Sequence, residues 1–417
     1  MPPIQPIRAW RYNSKFLPQL LQLTAPLAET LSQQREARLY EIPYHNFHIS
    51  SPRDVPPYHN VSRRIEQWKK QGIILQDKLP ALYVYFQYFS LKGSEKQFVR
   101  KGFIAHVKID TELSERRQIL PHEMTVPKAV AHRTHLLEAT FMHTVPTHTF
   151  YTDSKMLLEQ YLQESIKQPI YQLTDNQGTQ HILSAIHDRK VIQFFQEVLR
   201  DKILIIADGH HRYESSQRFA LQCRNQNPNH TGEEGYNYHL TWLTNTASND
   251  IGLLPTHRII RFVYDFHENS FLEALQTFFY IHPRKSLAEI SFAQPYSFGL
   301  FLKDKILEIN LKKHPLEEPN WNLPNEVKQL DLSVMHYFIF EKVLQIPANH
   351  QFNYLDFSQD ATFCVREVQA GRAVMALLTK SVSFEQIYEI CQKGYLMPAK
   401  STYFYPKVLS GLVFSEI

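Results

Sequence analysis

The chain has 417 residues, 43% of them hydrophobic and 21% charged, and a formal net charge of +4 with histidine neutral. That length allows two or three domains, and the composition is that of an ordinary globular protein rather than a disordered one. The charge is too small and too dispersed to point to nucleic acid, and no apolar stretch is long enough to span a bilayer.

The N-terminal half opens with SKFLPQLLQLTAPLAETLSQQREARLYEI (14–42), which carries helical spacing. VSRRIEQWKKQGI (61–73) reads as an amphipathic helix that ends near Gly72. ALYVYFQYF (81–89) is a strand by its β-branched and aromatic content. VRKGFIAHVKI (99–109) is expected as its antiparallel neighbour, with LKGSEKQ as the turn. HRTHLLEATFMHT and MLLEQYLQESIKQ are expected to be helical. PIYQLTD and HILSAIHD alternate like a hairpin around Asn176-Gln177-Gly178. RKVIQFFQEVLRDK is an amphipathic helix that leads into the apolar strand ILIIA (203–207).

After a polar, Asn-rich loop, YHLTWLTN (238–245) reads as a buried strand and LLPTHRIIRFV (253–263) as another. Beyond about residue 265 the pattern is a helix (FLEALQTFFY), a hairpin (YSFGLFLKD with KILEINLKK) and a helix (DLSVMHYFIFEKVL). Helices and strands intermix without a strict βαβ rhythm, so an α+β fold is expected. The change of texture suggests an N-terminal region 1–265 and a C-terminal region 266–417.

Three cysteines, Cys223, Cys364 and Cys391, lie far apart and form no CxxC pair. Neither a disulfide framework nor a structural zinc is expected, and a reducing compartment is the default. MPPIQPIRAW lacks the charged and apolar regions of a signal peptide, so a cytoplasmic location is expected. Glycine is scarce, at 12 residues, while histidine is common, at 21. Neither G-x-x-x-x-G-K-[ST] nor G-x-G-x-x-G occurs, so any phosphate binding here would use neither a P-loop nor a Rossmann turn.

The stretch ILIIADGHHRY (203–213) carries the chemistry. Asp208 falls where a strand ends and a helix begins, a position that suits an N-cap. Gly209 permits a sharp turn and close approach by a ligand. His210, His211 and Arg212 then fall in the first helical turn, where cations oppose the helix dipole. An anion docked there would satisfy both the helix N–H groups and the cations, with Arg212 holding phosphate oxygens bidentately. Asp208 would repel that anion unless a cation bridged them, and Mg²⁺ is the natural bridge. His210 and His211 point about 100° apart on a helix and do not easily share one transition metal. For an isolated Asp-Gly the plainer reading would be a capped helix with surface histidines.

Three further polar clusters carry less. HEMTVPK holds His122, Glu123, Thr125 and Lys128, with Arg133 shortly after. LPTHR places Thr256 and Arg258 on one face of a strand and His257 on the other. MPAKSTYFYPK gathers Lys400, Ser401, Thr402, Tyr403, Tyr405 and Lys407.

Taken together, IADGHHRYES, HEMTVPK, LLPTHR and MPAKSTYFYPKVLSGLVF resemble domain-of-unknown-function family 1015, whose members are often labelled ParB/RepB-like. The resemblance runs from about residue 80 to the C-terminus and more loosely before it. The D-G-H-H-R element also resembles the signature of the ParB/sulfiredoxin-like superfamily, one branch of which consists of free-serine kinases. The resemblance implies a ParB/sulfiredoxin-like nucleotide-binding core with additional mixed α/β elements and an α+β C-terminal segment. It implies a kinase dependent on ATP or ADP and Mg²⁺ that phosphorylates a small hydroxylated metabolite, free L-serine first.

On that reading Asp208 assists metal or substrate binding, and Gly209, His210, His211 and Arg212 hold the phosphates. His211 or Arg212 would stabilise the transferring group. Glu123 is the candidate base, an assignment the shared motif does not itself make. Lys128, Arg133, Thr256, Arg258 and Lys400 are the further candidates for holding the nucleotide or a carboxylate substrate. Members of the family usually carry a Pro-Tyr-Asp-rich segment near the N-terminus. Here the comparable TAPLAETLSQQ lacks the Tyr-Asp pair, which implies altered specificity or lost activity. Two alternatives stand beside the kinase: a metal-dependent phosphohydrolase or nuclease, and a ParB-like nucleotide-binding regulator of DNA. The second would want a helix-turn-helix and a basic patch, and the C-terminal region offers neither clearly. The oligomeric state is open.

Overall fold

The structure, a computed structural model, describes residues 3–25, 33–54, 58–91, 94–110, 117–248 and 251–417. The chain forms two compact units. The first comprises residues 1–121, 125–252 and 406–417, and the second 122–124 and 253–405.

The first unit is built on a nine-stranded mixed sheet. Its strands are β1 (Ile4–Gln5), β2 (Leu82–Ser90), β3 (Gln97–Lys108), β4 (Ile119–Leu120), β5 (Thr147–Tyr151), β6 (Tyr171–Thr174), β7 (Gln180–Ile186), β8 (Leu204–Asp208) and β9 (Tyr238–Asn245). They lie in the order β4-β8-β5-β9-β3-β2-β7-β6, with β1 also on β3. The pairs β4–β8 and β5–β9 are parallel and the others antiparallel. The period of two along β2 explains why the sheet is covered on both faces. Leu82, Val84 and Phe86 join one buried cluster, Tyr83 and Tyr85 the other. Helix α1 (His59–Lys70) contributes Val61, Ile65 and Trp68 to the second cluster. Helix α3 (Arg189–Leu199) contributes Ile192, Phe195 and Leu199 to the first. The start of α3 is set by Asp188, whose carboxylate accepts from Lys190 N at 2.8 Å and Val191 N at 3.1 Å. Helix α2 (Pro127–Thr140) packs against α4 (His210–Gln226).

Strands β2, β3, β8 and β9, the β6–β7 hairpin and helices α1, α3 and α4 lie where their sequence patterns place them. Three expectations change. Residues 14–25 form a 3-10 turn (Ser14–Gln19) and one helical turn (Leu20–Leu23). The chain is helical again over Gln33–Tyr40, while 26–32 of TAPLAETLSQQ fall outside the described residues. HRTHLLEATFMHT is helical only to Thr140, because Phe141 turns left-handed at φ +46° and Met142–His143 pair with Ser415–Glu416 as strands. Of MLLEQYLQESIKQ only Glu159–Ser165 is α-helical.

The second unit holds an antiparallel six-stranded sheet. Its strands are β10 (His257–Ile260), β11 (Phe279–Arg284), β12 (Ser297–Leu302), β13 (Lys305–Leu311), β14 (Leu355–Ser358) and β15 (Met375–Leu378), in the order β11-β13-β12-β15-β10-β14. LLPTHRIIRFV is extended only at Leu253, in a short strand Gly252–Leu253, and in the four residues of β10, and the expected helix FLEALQTFFY is Glu268–Phe278 with its last residues in β11. Asp331–Val334 is α-helical and runs on as a π-helix over Met335–Val343. Among the described residues no helix is long and apolar enough to cross a membrane.

Candidate functional site

Asp208 ends β8 and Gly209 is the first residue of the turn into α4. Gly209 has φ +101°, and a Cβ there would stand 2.7 Å from the Arg212 guanidinium. Both the dihedral and the close approach require glycine. The expected N-cap role of Asp208 is not what the structure has. Gly209, which has no side chain to cap with, holds the N-cap position, and the Asp208 carboxylate turns to cations instead. Its Oδ2 accepts from Arg212 Nη2 at 2.7 Å, one helical turn on, and its Oδ1 from Lys407 Nζ. Burial pushes the Asp208 carboxyl up, but Lys407 and Arg212 together outweigh it and hold it well below the usual carboxylate range. Two cations thus stand at a helix N-terminus, a place whose N–H groups draw anions.

The surroundings hold these groups in place. Arg212 Nη1 donates to Pro146 O at 2.8 Å. The Lys407 segment is tied to the sheet twice: Gln87 Nε2 donates to Lys407 O at 2.9 Å, and Arg100 Nη1 to Pro406 O at 2.8 Å. His148, opposite Asp208 across β5–β8, stacks on Trp242 at 4.5 Å and bonds Thr244 Oγ1 at 2.8 Å. Burial, helped by Arg100, drives its imidazole well below the usual range, so it is neutral. Gly102 makes room for that ring system, since a Cβ there would stand 2.7 Å from Trp242 Nε1 and 2.2 Å from Leu243 O.

The other motif residues fall as follows. His210 is buried. His211 Nε2 accepts from Val126 N at 2.9 Å, where α2 begins, so that nitrogen acts as an acceptor. Lys128 is exposed in the first turn of α2. Arg133, farther along α2, donates to Ser50 O at 2.7 Å and shares with Arg212 the lining of a small cavity that also touches His143, Ser216 and His239. Its volume is about 30 Å³. That admits one or two waters, not a nucleotide. His239 is wedged between Ser216 Oγ and Thr147 Oγ1, each at 2.7 Å.

Glu123, Thr256, Arg258 and Lys400 come together within the second unit. Glu123 Oε1 accepts from both Thr402 N and Thr402 Oγ1 at 2.7 Å, and Oε2 from Lys400 N at 3.2 Å. Arg258 is fully buried and donates to Thr256 O and, at 3.2 Å, to Lys400 O. Burial lowers its pKa to about 9 against the opposing charge of Glu123. Thr256 Oγ1 is buried and has no hydrogen-bond partner among the described residues. In this arrangement Glu123 anchors the 400–402 turn, where Lys400 adopts φ +61°.

Magnesium asks for several oxygen ligands in octahedral geometry. Both Asp208 oxygens are taken by cations, and among the described residues no group of three or more His, Cys, Asp or Glu is placed to hold a metal ion. The protein side chains as arranged do not fit a resident Mg²⁺ on Asp208. The sequence reading missed His148, Trp242, Arg100 and the partnership of Lys407 with Asp208. Those last two residues are 199 apart in sequence, and no spacing could have joined them.

A family model described as "Protein of unknown function (DUF1015)" matches residues 4–333. No curated protein matches the chain. Among solved structures it is similar to a free serine kinase in complex with AMP, at 12% identity and a TM-score of 0.36, covering 69% of this chain and 83% of that one. It is also similar to a conserved hypothetical protein from Pyrococcus furiosus, at 11% identity and 0.36, covering 72% and 95%. The C-terminally truncated SbnI from Staphylococcus aureus is similar at 14% identity and 0.36, covering 74% and 86%.

Proposed function

We propose that this chain, which belongs to the DUF1015 family, is a nucleotide-dependent phosphotransferase acting on the hydroxyl of a small metabolite, free L-serine first. On this reading the first unit carries a ParB/sulfiredoxin-like nucleotide-binding core and the protein works in the cytoplasm. The observation that carries the reading is the start of α4: a left-handed Gly209, and Arg212 and Lys407 fixed side by side on Asp208. The resemblance of D-G-H-H-R to the free-serine kinases supplies the acceptor class.

Phosphoryl transfer needs alignment and charge neutralisation more than covalent chemistry. The nucleotide phosphates dock at the N-terminal turn of α4, and Arg212 and Lys407 neutralise their oxygens. Asp208 is a positioning residue that holds both cations in register. No step is assigned to a metal. To act as base, Glu123 would have to release Thr402.

The test is nucleotide turnover with and without L-serine, by wild type and Lys407→Ala. ADP or AMP formation that depends on serine, and falls about 100-fold in the variant, is expected. Turnover independent of serine would replace this reading with a phosphohydrolase, and failure to bind nucleotide would end it.

A further inference from the structure

Lys407 reaches Asp208 from 199 residues away, and a series of buried side chains on β2 and β7 grips its backbone. Gln87 Nε2 donates to Lys407 O at 2.9 Å and to the Tyr85 hydroxyl at 3.1 Å. Turning that amide over would set its oxygen against Lys407 O, so its orientation is fixed. The Leu409 N–H also donates to the Tyr85 hydroxyl. With two donors on its oxygen, the hydroxyl gives its own hydrogen to His181 Nδ1, 2.7 Å away. His181 therefore carries its hydrogen on Nε2, which donates to Asp175 Oδ2 at 3.3 Å. The other Asp175 oxygen accepts from the Gln177 and Thr179 N–H groups at 2.8 and 2.9 Å.

Each group in this series has one role, and Tyr85, Gln87 and His181 are all 2% exposed or less. The grip closes on both sides of Val408, at Lys407 O and at the Leu409 N–H. Arg100 adds a hold one residue earlier, at Pro406 O. With its backbone held at these points, the Lys407 side chain has a fixed origin from which to reach Asp208. Tyr85 is the hub, because the bonds from Leu409, Gln87 and to His181 all meet at its hydroxyl. Removing that one oxygen takes a partner from the Leu409 N–H, from Gln87 and from His181 Nδ1, and keeps the ring.

We propose that Tyr85, backed by Gln87, His181 and Asp175, is the positioning residue for the Lys407 ammonium. Its consequence for turnover rests on the phosphotransferase reading; the placement of Lys407 does not. The test is acetylation of the full chain by acetic anhydride, without nucleotide, read lysine by lysine in a mass spectrometer for wild type, Tyr85→Phe and Gln87→Met. Lys407, with its side chain 9% exposed, is expected to label at least about ten-fold faster in both variants. Lys69, with its side chain 17% exposed and held by Glu66 and Glu416, should keep its wild-type rate. Gln87→Met nearly conserves side-chain volume and decides the matter if Tyr85→Phe does not fold. With nucleotide and L-serine, kcat of Tyr85→Phe is expected to fall about 100-fold while KM for nucleotide stays within about three-fold, as for a cation displaced from the transition state. The proposal is overturned if Lys407 labels at the wild-type rate in the variants that fold, if Lys69 accelerates as much as Lys407, or if turnover by Tyr85→Phe changes through KM alone. Faster labelling of Lys407 alone, in a protein whose wild type turns over no nucleotide, would support the positioning role and remove the phosphotransferase reading.

Discussion

Gly209 stands in the left-handed region with the Arg212 guanidinium 2.7 Å from where a Cβ would be. Gly209→Ala therefore meets two penalties, one in the backbone and one in the displaced guanidinium. A loss of about 1–3 kcal/mol is expected in urea denaturation. A loss below about 0.5 kcal/mol would show that the turn tolerates a side chain. Asp208 raises a different issue, because two cations depend on it. Asp208→Asn takes away the carboxylate that Arg212 and Lys407, with side chains 11% and 9% exposed, share. The expected cost is about 3 kcal/mol. The charge cluster also has a pH signature. The carboxyl is depressed in the folded state, so its stabilisation is present above the unfolded carboxylate range and is lost as pH falls towards its folded value. Wild type should lose its advantage over Asp208→Asn below about pH 4, which paired urea titrations at pH 6 and pH 3 would reveal.

The decisive element is the C-terminal segment 406–417. It brings Lys407 to Asp208, lays Ser415–Glu416 beside Met142–His143, and exchanges backbone hydrogen bonds with Trp10 through Phe414 at 2.8 and 2.9 Å. Val408, Leu409, Leu412, Val413 and Phe414 are all buried in the core of the first unit. Phe414→Ala removes a fully buried ring and is expected to cost about 3–5 kcal/mol. Hydrogen exchange should then show the loosening in β2 and β3 of the first unit rather than in the second unit. This element was only half legible beforehand. The sequence MPAKSTYFYPKVLSGLVF stands out as a motif, yet its apolar residues show neither a helical nor a strand period. They follow the contour of a surface made by residues hundreds of positions earlier.

At the scale of the whole molecule, buried histidines set the response to acid. His106, His143 and His239 lie in contact in the first unit, with ring centroids 6.1 and 4.9 Å apart; His143 and His239 are buried and His106 is half-buried. Burial lowers His143 to about 4 and His106 to about 3, and His239 well below the usual range. The unfolded chain binds protons at these sites below about pH 6.5 while the folded chain does not. Stability therefore falls as pH drops from about 6.5 towards 4, by up to about 1.4 kcal/mol per pH unit for each histidine. The measurement is urea stability across that window. His143→Gln should flatten the slope, and an unchanged slope would mean that His143 titrates normally.

Several strands and helices between residues 59 and 344 were readable from the sequence, because local period and capping residues determine those elements: the alternation in LYVYFQYFS, the Asp188 cap and the strand-turn-helix of LIIADGHHR act within a few residues; the central strand Thr147–Tyr151 and the strands and helices after residue 344 were not read. The sharp strand-to-helix turn at Asp208 and Gly209 was legible for the same reason. Partners were not. Asp208 reads as a cap by local rule, but a short acidic side chain at a strand end takes whatever cations the tertiary structure supplies, and Lys407 arrives from 199 residues away. Glu123 reads as a free acid, yet the 400–402 turn of its own unit supplies three hydrogen-bond donors to it. Local sequence decides which backbone forms. Only the packing of distant segments decides which charges meet, because electrostatic and hydrogen-bond energies depend on distance in space and not along the chain.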